Sequence, residues 1–413
     1  MRKVTVSLLI ILVATAAFAG DGSIRRTGGK KIQDRYFVVL EKTVDRGRVP
    51  DIANEMAFAH AGRLLFVYQN ALKGFAIELP EGRARALAHD PRVAWVEEDF
   101  VVQGDAVQTN APWGLDRIDQ RNRPLSGTYS YDFTGTGVHV YVIDSGIRST
   151  HTEFGGRATK DVDFINGNGN DCNGHGTHVA GIIGGSTYGV AKNVRMHSLR
   201  VLDCNMEGPG DALVAAINWV TANRVLPAVA NVSIRSAATS DTVDTAVNNS
   251  VNAGVFYAVA AGNFNQDACF HSPARAALAY TVGATTSTDS RWFLSNFGSC
   301  LEIFAPGENI LSASYPSDTA TEVRSGTSMA APHVAGAAAL LLQENSGLSP
   351  SDVAATLTSR ATVNVLTGIG NGSPNKLLFT PPGTCRPPNA VCSVNSDCCS
   401  NMCWAKSIPP KCF

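Results

Sequence analysis

The 413-residue chain has almost no charge imbalance, 34 basic against 35 acidic residues, so there is no electrostatic reason to expect a nucleic-acid partner. It lacks any apolar run near the roughly 20 residues that a membrane-spanning helix needs. Cysteine is missing from the first 171 residues, and six of the ten then crowd between Cys385 and Cys412. The HExxH pattern of zinc hydrolases is absent, as is the second glycine of the GxSxG turn. These absences leave a modular chain of two or three domains whose partner is another polypeptide.

At the N-terminus, Arg2 and Lys3 precede an apolar run from Val4 to Val13, and Ala17-Phe18-Ala19 has the small-x-small form of a processing site. Residues 1–19 are therefore expected to be a signal peptide, removed on export, with no membrane segment remaining and an extracellular destination that suits an even cysteine count. From 35 to 102 the pattern predicts strand, helix, strand, strand, helix, strand (Tyr36 to Leu40, Pro50 to Ala61, Leu64 to Tyr68, Gly74 to Leu79, Glu81 to His89, Val93 to Glu97). This is the βαββαβ order of a ferredoxin-like α+β unit. Such a unit serves binding, oligomerisation or as a pro-segment, and its direct run into TNAPWGLDRID favours the last.

Between Val138 and Ala361, apolar strand-like runs alternate with helical stretches, which predicts an α/β fold with a parallel sheet covered by helices on both faces. Function in such sheets gathers where strands end and helices begin. Four short boxes sit at such places. VIDSGI ends an apolar run with Asp144, whose carboxylate at a strand end needs a hydrogen-bonded partner. HGTHVAG sets His175 between Gly174 and Gly176, which clear the approach of a substrate, while His178 reads as a packed core residue. GTSMAAPHVAG opens a long apolar helix with Ser328, where first-turn amides lack helical partners; Pro332 denies the Ser328 carbonyl its donor and should distort that turn. VAAGN ends a strand at Asn263, whose amide is placed to donate to an oxyanion. Together they supply an acid, a base, a nucleophile and oxyanion donors.

Acid, then histidine, then serine is the chain order of subtilisin rather than of chymotrypsin or the α/β-hydrolases. With YVIDSGI, NGHGTHVAG, YGVAKNV, VAAGN, SNFGSC, FAPG, GTSMAAPHVAG and GSPNKLLF, residues 106–380 resemble the proteinase K branch of the subtilisin-like peptidases, and most of all its aqualysin-type members. The resemblance implies a secreted serine endopeptidase, monomeric and without a catalytic cofactor, that acts on polypeptides. Asp144, His175 and Ser328 would form its triad and Asn263 its oxyanion donor. Ser233, Ile234, Arg235, Ala260, Ala261 and Gly262 would line the substrate cleft, with Arg235 standing where the family has glycine; that side chain either narrows or charges the acyl-side subsites and favours acidic residues there, or swings into solvent. Residues 20–105 would be an inhibitory propeptide, cut from the enzyme between Asp105 and Ala106. Disulfides Cys172–Cys204 and Cys269–Cys300 are also implied. So is structural calcium, held by Glu302 with the carbonyls of Ala277 and Ala279, and by Asp116, Asp119 and Gln120, where Ser126 replaces an expected acid.

After a linker at 381–384, residues 385–413 space their cysteines as C-x6-C-x5-CC-x3-C-x8-C. So short a segment needs crosslinks to fold, and six cysteines allow fifteen pairings. The spacing resembles cystine knots, implying a knottin-like unit with Cys385–Cys399, Cys392–Cys403 and Cys398–Cys412. Surface binding, peptidase inhibition and protection of the C-terminus all remain open for it.

Overall fold

The computed structural model describes residues 23–26, 31–100, 106–236 and 239–381, plus the backbone of two short strands in the tail, Cys403–Trp404 and Lys411–Cys412, paired antiparallel. The signal-peptide segment, Asp105 and the pairing of the tail cysteines lie outside the described residues. The chain divides into two compact units, 1–103 and 104–413.

In the N-terminal unit, four antiparallel strands take the order Val93–Phe100, Lys31–Leu40, Gly74–Glu78, Arg63–Tyr68, with Ile24–Arg25 added parallel at one edge. Helices Val49–Ala59 and Glu81–Leu87 complete the ferredoxin-like arrangement. The first helix buries Val49, Ile52, Ala53, Met56 and Ala57, a single face at helical spacing, and Pro50 fits its first turn. Lys31–Leu40 starts five residues before the apolar alternation does. Its polar beginning is recruited by the partner strand, Lys31 pairing with Phe100, which a hydrophobic pattern cannot reveal.

The C-terminal unit is built on a nine-stranded sheet whose inner strands, Ile303–Pro306, Tyr280–Thr285, Val255–Ala260, Ala228–Val232, His139–Asp144 and Arg195–Arg200, are all parallel. Val255–Ala260 and Ala228–Val232 are buried at every position, because helices cover both faces. One core packs helices His175–Gly184, Thr327–Glu344 and Pro350–Arg360 against Val140, Val229 and Val282. The opposite core packs Gly210–Asn223 and Asp241–Asn252 against Tyr141, Ala230 and Tyr257. His139–Asp144 lies between Ala228–Val232 and Arg195–Arg200, so the strand order reverses around it and opens a crevice at its carboxyl end. Disulfides Cys172–Cys204 and Cys269–Cys300 crosslink this unit. No helix among the described residues is long and apolar enough to cross a membrane.

Candidate active site

Asp144 is the last residue of its strand and is fully buried, deeper than its place at a strand end suggests. Its charge is met at once: Ser145 N donates to Oδ1 at 2.7 Å, and His175 Nδ1 stands 2.8 and 2.9 Å from the two carboxylate oxygens. Because Nδ1 carries the proton it donates to Asp144, Nε2 of the same ring is left as an acceptor.

His175 opens its helix, and that helix end is fastened by side chains. Gly176 N donates to Ser145 Oγ at 3.0 Å, and Thr177 N and Oγ1 donate to Asp171 Oδ2 at 3.0 and 2.6 Å, so amides left orphaned by the first turn are satisfied. The flanking glycines serve packing rather than substrate access. A Cβ on Gly176 would lie 2.1 Å from the Gly146 carbonyl, and one on Gly174, where φ is +97°, would lie 2.6 Å from the Tyr315 ring. His178 is buried one turn on, its Nε2 3.0 and 3.1 Å from the carbonyls of Ile310 and Glu322, and burial holds its pKa down to about 3.

Ser328 lies in the first turn of Thr327–Glu344, which runs on through Pro332 without a break. The carbonyl that Pro332 leaves without a donor accepts Ser233 Oγ at 2.9 Å, and Ser328 Oγ in turn donates to the Ser233 carbonyl at 2.9 Å. Asn263 Oδ1 accepts both the amide and the hydroxyl of Thr327, each at 2.8 Å. A backbone N–H only donates, so the oxygen is fixed on that side and Nδ2 is free to donate elsewhere.

His175, Ser328 and Asn263 line one cavity of about 920 Å³, together with Ser233, Ile234, Arg235, Ala260 and Gly262. Ala261 does not reach it: it is fully buried, its carbonyl taken by Asn296 Nδ2 at 2.9 Å. Arg235 is solvent-exposed but does not stand free. Its guanidinium stacks 3.7 Å above the Phe264 ring, which lies in the same wall, a cation–π contact that holds the charge in place.

The acids tied to calcium differ in fit. Asp119 Oδ2 accepts Ser130 N at 2.7 Å, but its buried Oδ1 has no partner, and burial, with neighbouring Asp116 adding, raises its pKa to about 6. Asp116 and Gln120 Oε1 converge on Ser126 N at 3.0 and 3.1 Å. Asp116 also accepts Ser126 Oγ at 3.0 Å and Gly127 N at 2.6 Å, so among these oxygens Asp119 Oδ1 alone is open to a hard cation. Glu302 is the poorer fit: its carboxylate is spent on the Thr281 amide, and burial raises its pKa to about 7. Among the described residues, no three His, Cys, Asp or Glu side chains stand ready to hold a metal.

Sequence reasoning missed Asn231, Thr327, Glu322 and Arg324. Thr327 was legible in principle as part of the GTSMA box. Arg324 was not: it lines the cavity through a hairpin that returns from elsewhere, its Nε 3.0 Å from Glu322 Oε2 and its Nη2 3.2 Å from the Asn173 carbonyl.

Comparison with known proteins agrees with this geometry. Residues 135–377 match the Subtilase family and residues 39–105 match Peptidase inhibitor I9. An extracellular serine proteinase of Thermus sp. (strain Rt41A) is 57% identical over 317 residues, 76% of this chain and 77% of that protein. Alkaline serine exoprotease A of Vibrio alginolyticus is 47% identical over 365 residues, 84% of this chain and 68% of that protein. A crystal structure of a cold adapted subtilisin-like serine proteinase superposes with a TM-score of 0.64 at 51% identity, covering 66% of this chain and 98% of that one.

Proposed function

Because the chain belongs to the subtilase family and is a serine endopeptidase with an inhibitor-type pro-domain, we propose that Ser328 is its nucleophile, His175 its base and Asp144 the group that orients the imidazole. Asn263 Nδ2 and the Ser328 amide receive the oxyanion. The observation that carries this assignment is the double approach of His175 Nδ1 to Asp144 in a cavity that also exposes Ser328 and Asn263.

Ser328 Oγ attacks the peptide carbonyl carbon and passes its proton to His175 Nε2 while the carbonyl electrons move onto oxygen. The electrons return, the C–N bond breaks, and His175 gives the proton to the departing amine. Water, deprotonated by the same nitrogen, then attacks the acyl-enzyme ester and releases the acid, restoring Ser328. Throughout, the buried Asp144 carboxylate stabilises the imidazolium without taking its proton.

Residues 1–19 direct export, residues 20–105 act as the enzyme's own inhibitor until the bond between Asp105 and Ala106 is cut, and a monomeric enzyme spans 106–380. The linker 381–384 carries a knottin-like tail, 385–413. The extracellular serine proteinase of Thermus sp. among the relatives supports secretion. Ser328→Ala should lower kcat on casein by about 10⁶-fold, the size recorded for subtilisin itself, and its product should keep residues 20–105. Truncation at Gly383 should leave activity intact. Activity in Ser328→Ala, or its loss on truncation, overturns the assignment.

Arg235, stacked on Phe264, charges the acyl-side wall and favours acidic residues there, which suits Asp105 at the processing point. A peptide library cleaved by wild type and Arg235→Gly should show that preference lost; an unchanged acidic preference rules it out. Calcium, where bound, is held by Asp119, Asp116 and Gln120 and supplies rigidity rather than chemistry.

A further inference from the structure

We infer that Ser233 positions the nucleophile by replacing a helical hydrogen bond that Pro332 removes, and that Asn231 sets Ser233 for this task. The inference rests on Ser328 being the nucleophile.

In an α-helix the carbonyl of residue i takes the N–H of residue i+4. For Ser328 that residue is Pro332, which has no N–H. The turn around it is buried, Met329, Ala330, Ala331 and Pro332 all being shielded from water, so the carbonyl needs a protein donor. Ser233 meets the need: it is buried just past the strand Ala228–Val232, and its Oγ lies 2.9 Å from the Ser328 carbonyl. Asn231, fully buried two residues earlier, donates Nδ2 to Ser233 Oγ at 2.9 Å. With a lone pair so occupied, the single hydroxyl proton is directed at Ser328.

The contact is reciprocal, since Ser328 Oγ donates to the Ser233 carbonyl at 2.9 Å. One residue thus holds the nucleophile twice, its side chain fixing the backbone of Ser328 and its backbone parking the hydroxyl. Misplacing a reacting atom by about 1 Å costs on the order of 100-fold in rate. Ser233 in this role is a positioning residue acting through Ser328. Pro332 in turn keeps that carbonyl off the helical ladder and tied to the neighbouring strand end.

The test uses the full-length secreted enzyme and a chromogenic peptide substrate. Ser233→Ala should lower kcat about 10- to 100-fold with KM within about threefold, because an interaction that aligns the reacting atom is lost while binding is not. Ser233→Thr, which keeps the hydroxyl, should recover most of the rate. Pro332→Ala restores the missing N–H, so Ser233→Ala combined with Pro332→Ala should regain at least about tenfold over Ser233→Ala alone. Should Ser233→Ala fail to fold, folding of the double variant with the kcat of Pro332→Ala supports the inference, and failure or slow turnover of the double variant overturns it. An unchanged kcat in Ser233→Ala, or the same loss whether or not Pro332→Ala accompanies it, overturns it too. Labelling of wild type by a phosphonofluoridate, read by peptide mass, separates the two levels. Label on Ser328 without any Ser233 effect sinks the positioning role alone, whereas label absent from Ser328 sinks the nucleophile beneath it.

Discussion

The two units of this chain both lay helices against sheets, yet they treat polar groups in opposite ways. In the N-terminal unit Glu98 is the one charged or polar side chain buried among the described residues, and the pairs Arg63–Glu78 and Arg92–Glu55 are solvent-exposed, where each contributes about 0–1 kcal/mol. That unit holds no cysteine and leaves Phe58 and Phe66 91% and 66% exposed. The C-terminal unit buries Asp144, His175, Arg117, Asn231 and His333 and carries two disulfides. Buried polar groups are costly unless every partner is in place. The unit that does chemistry accepts that cost with a large core and crosslinks, while the inhibitor-type unit relies on a small apolar core alone.

The sharpest way to break this contrast is to remove the crosslinks. The bridges span 32 and 31 residues, and each is worth about 3–4 kcal/mol in the chain-entropy model. Replacing Cys172, Cys204, Cys269 and Cys300 by serine should lower the thermal midpoint of the mature enzyme by more than about 10 °C. Calorimetry showing a drop under about 3 °C would mean that the apolar core suffices for both units.

Acid should separate the units next. Burial lowers the pKa of His178 to about 3 and of His333 to about 4, against an ordinary value near 6.5. Above about pH 6.5 these imidazoles are neutral folded or unfolded and add no pH dependence. As pH falls from about 6.5 to 4 the unfolded chain takes up protons at these imidazoles that the folded one refuses, which costs stability, while Glu302 and Asp119, whose pKa values burial raises to about 7 and 6, take up protons first in the folded state and offset part of that loss. Urea midpoints of Ser328→Ala, measured from pH 7 to 4, should fall for the C-terminal unit more than for the N-terminal unit, which buries no histidine among its described residues. Parallel declines would show that carboxylates common to both govern acid stability.

The smallest effect concerns calcium. At 100 times its dissociation constant a bound ion adds about 2.7 kcal/mol, so chelation should lower the midpoint of the mature enzyme by several degrees, and Asp119→Asn should abolish the response. A response that persists in Asp119→Asn places the ion elsewhere.

Much of this was legible because the relevant signals are local. Strand and helix periods placed Arg63–Tyr68, Gly74–Glu78 and Glu81–Leu87 to within two residues, and the boxes around Asp144, His175, Asn263 and Ser328 each marked a strand or helix end. The errors were of another kind. Gly176 read as an opening for substrate, but its missing Cβ makes room for the Gly146 carbonyl. The resemblance implied Ala261 as cleft wall, yet it is buried, with its carbonyl turned onto Asn296. Arg324 carried no local signal at all.

The sequence by itself determined which chemical groups this protein owns, which segments become strand or helix, and that a proline would deprive one carbonyl of its donor, since these follow from covalent structure and short-range periodicity. Only the tertiary structure decided what would answer that carbonyl, that Asp144 would be sealed from water with one imidazole as its partner, and that Phe264 would hold Arg235. Those choices join residues 29 to 95 positions apart, and such pairings are settled by how helices and strands pack rather than by any pattern along the chain.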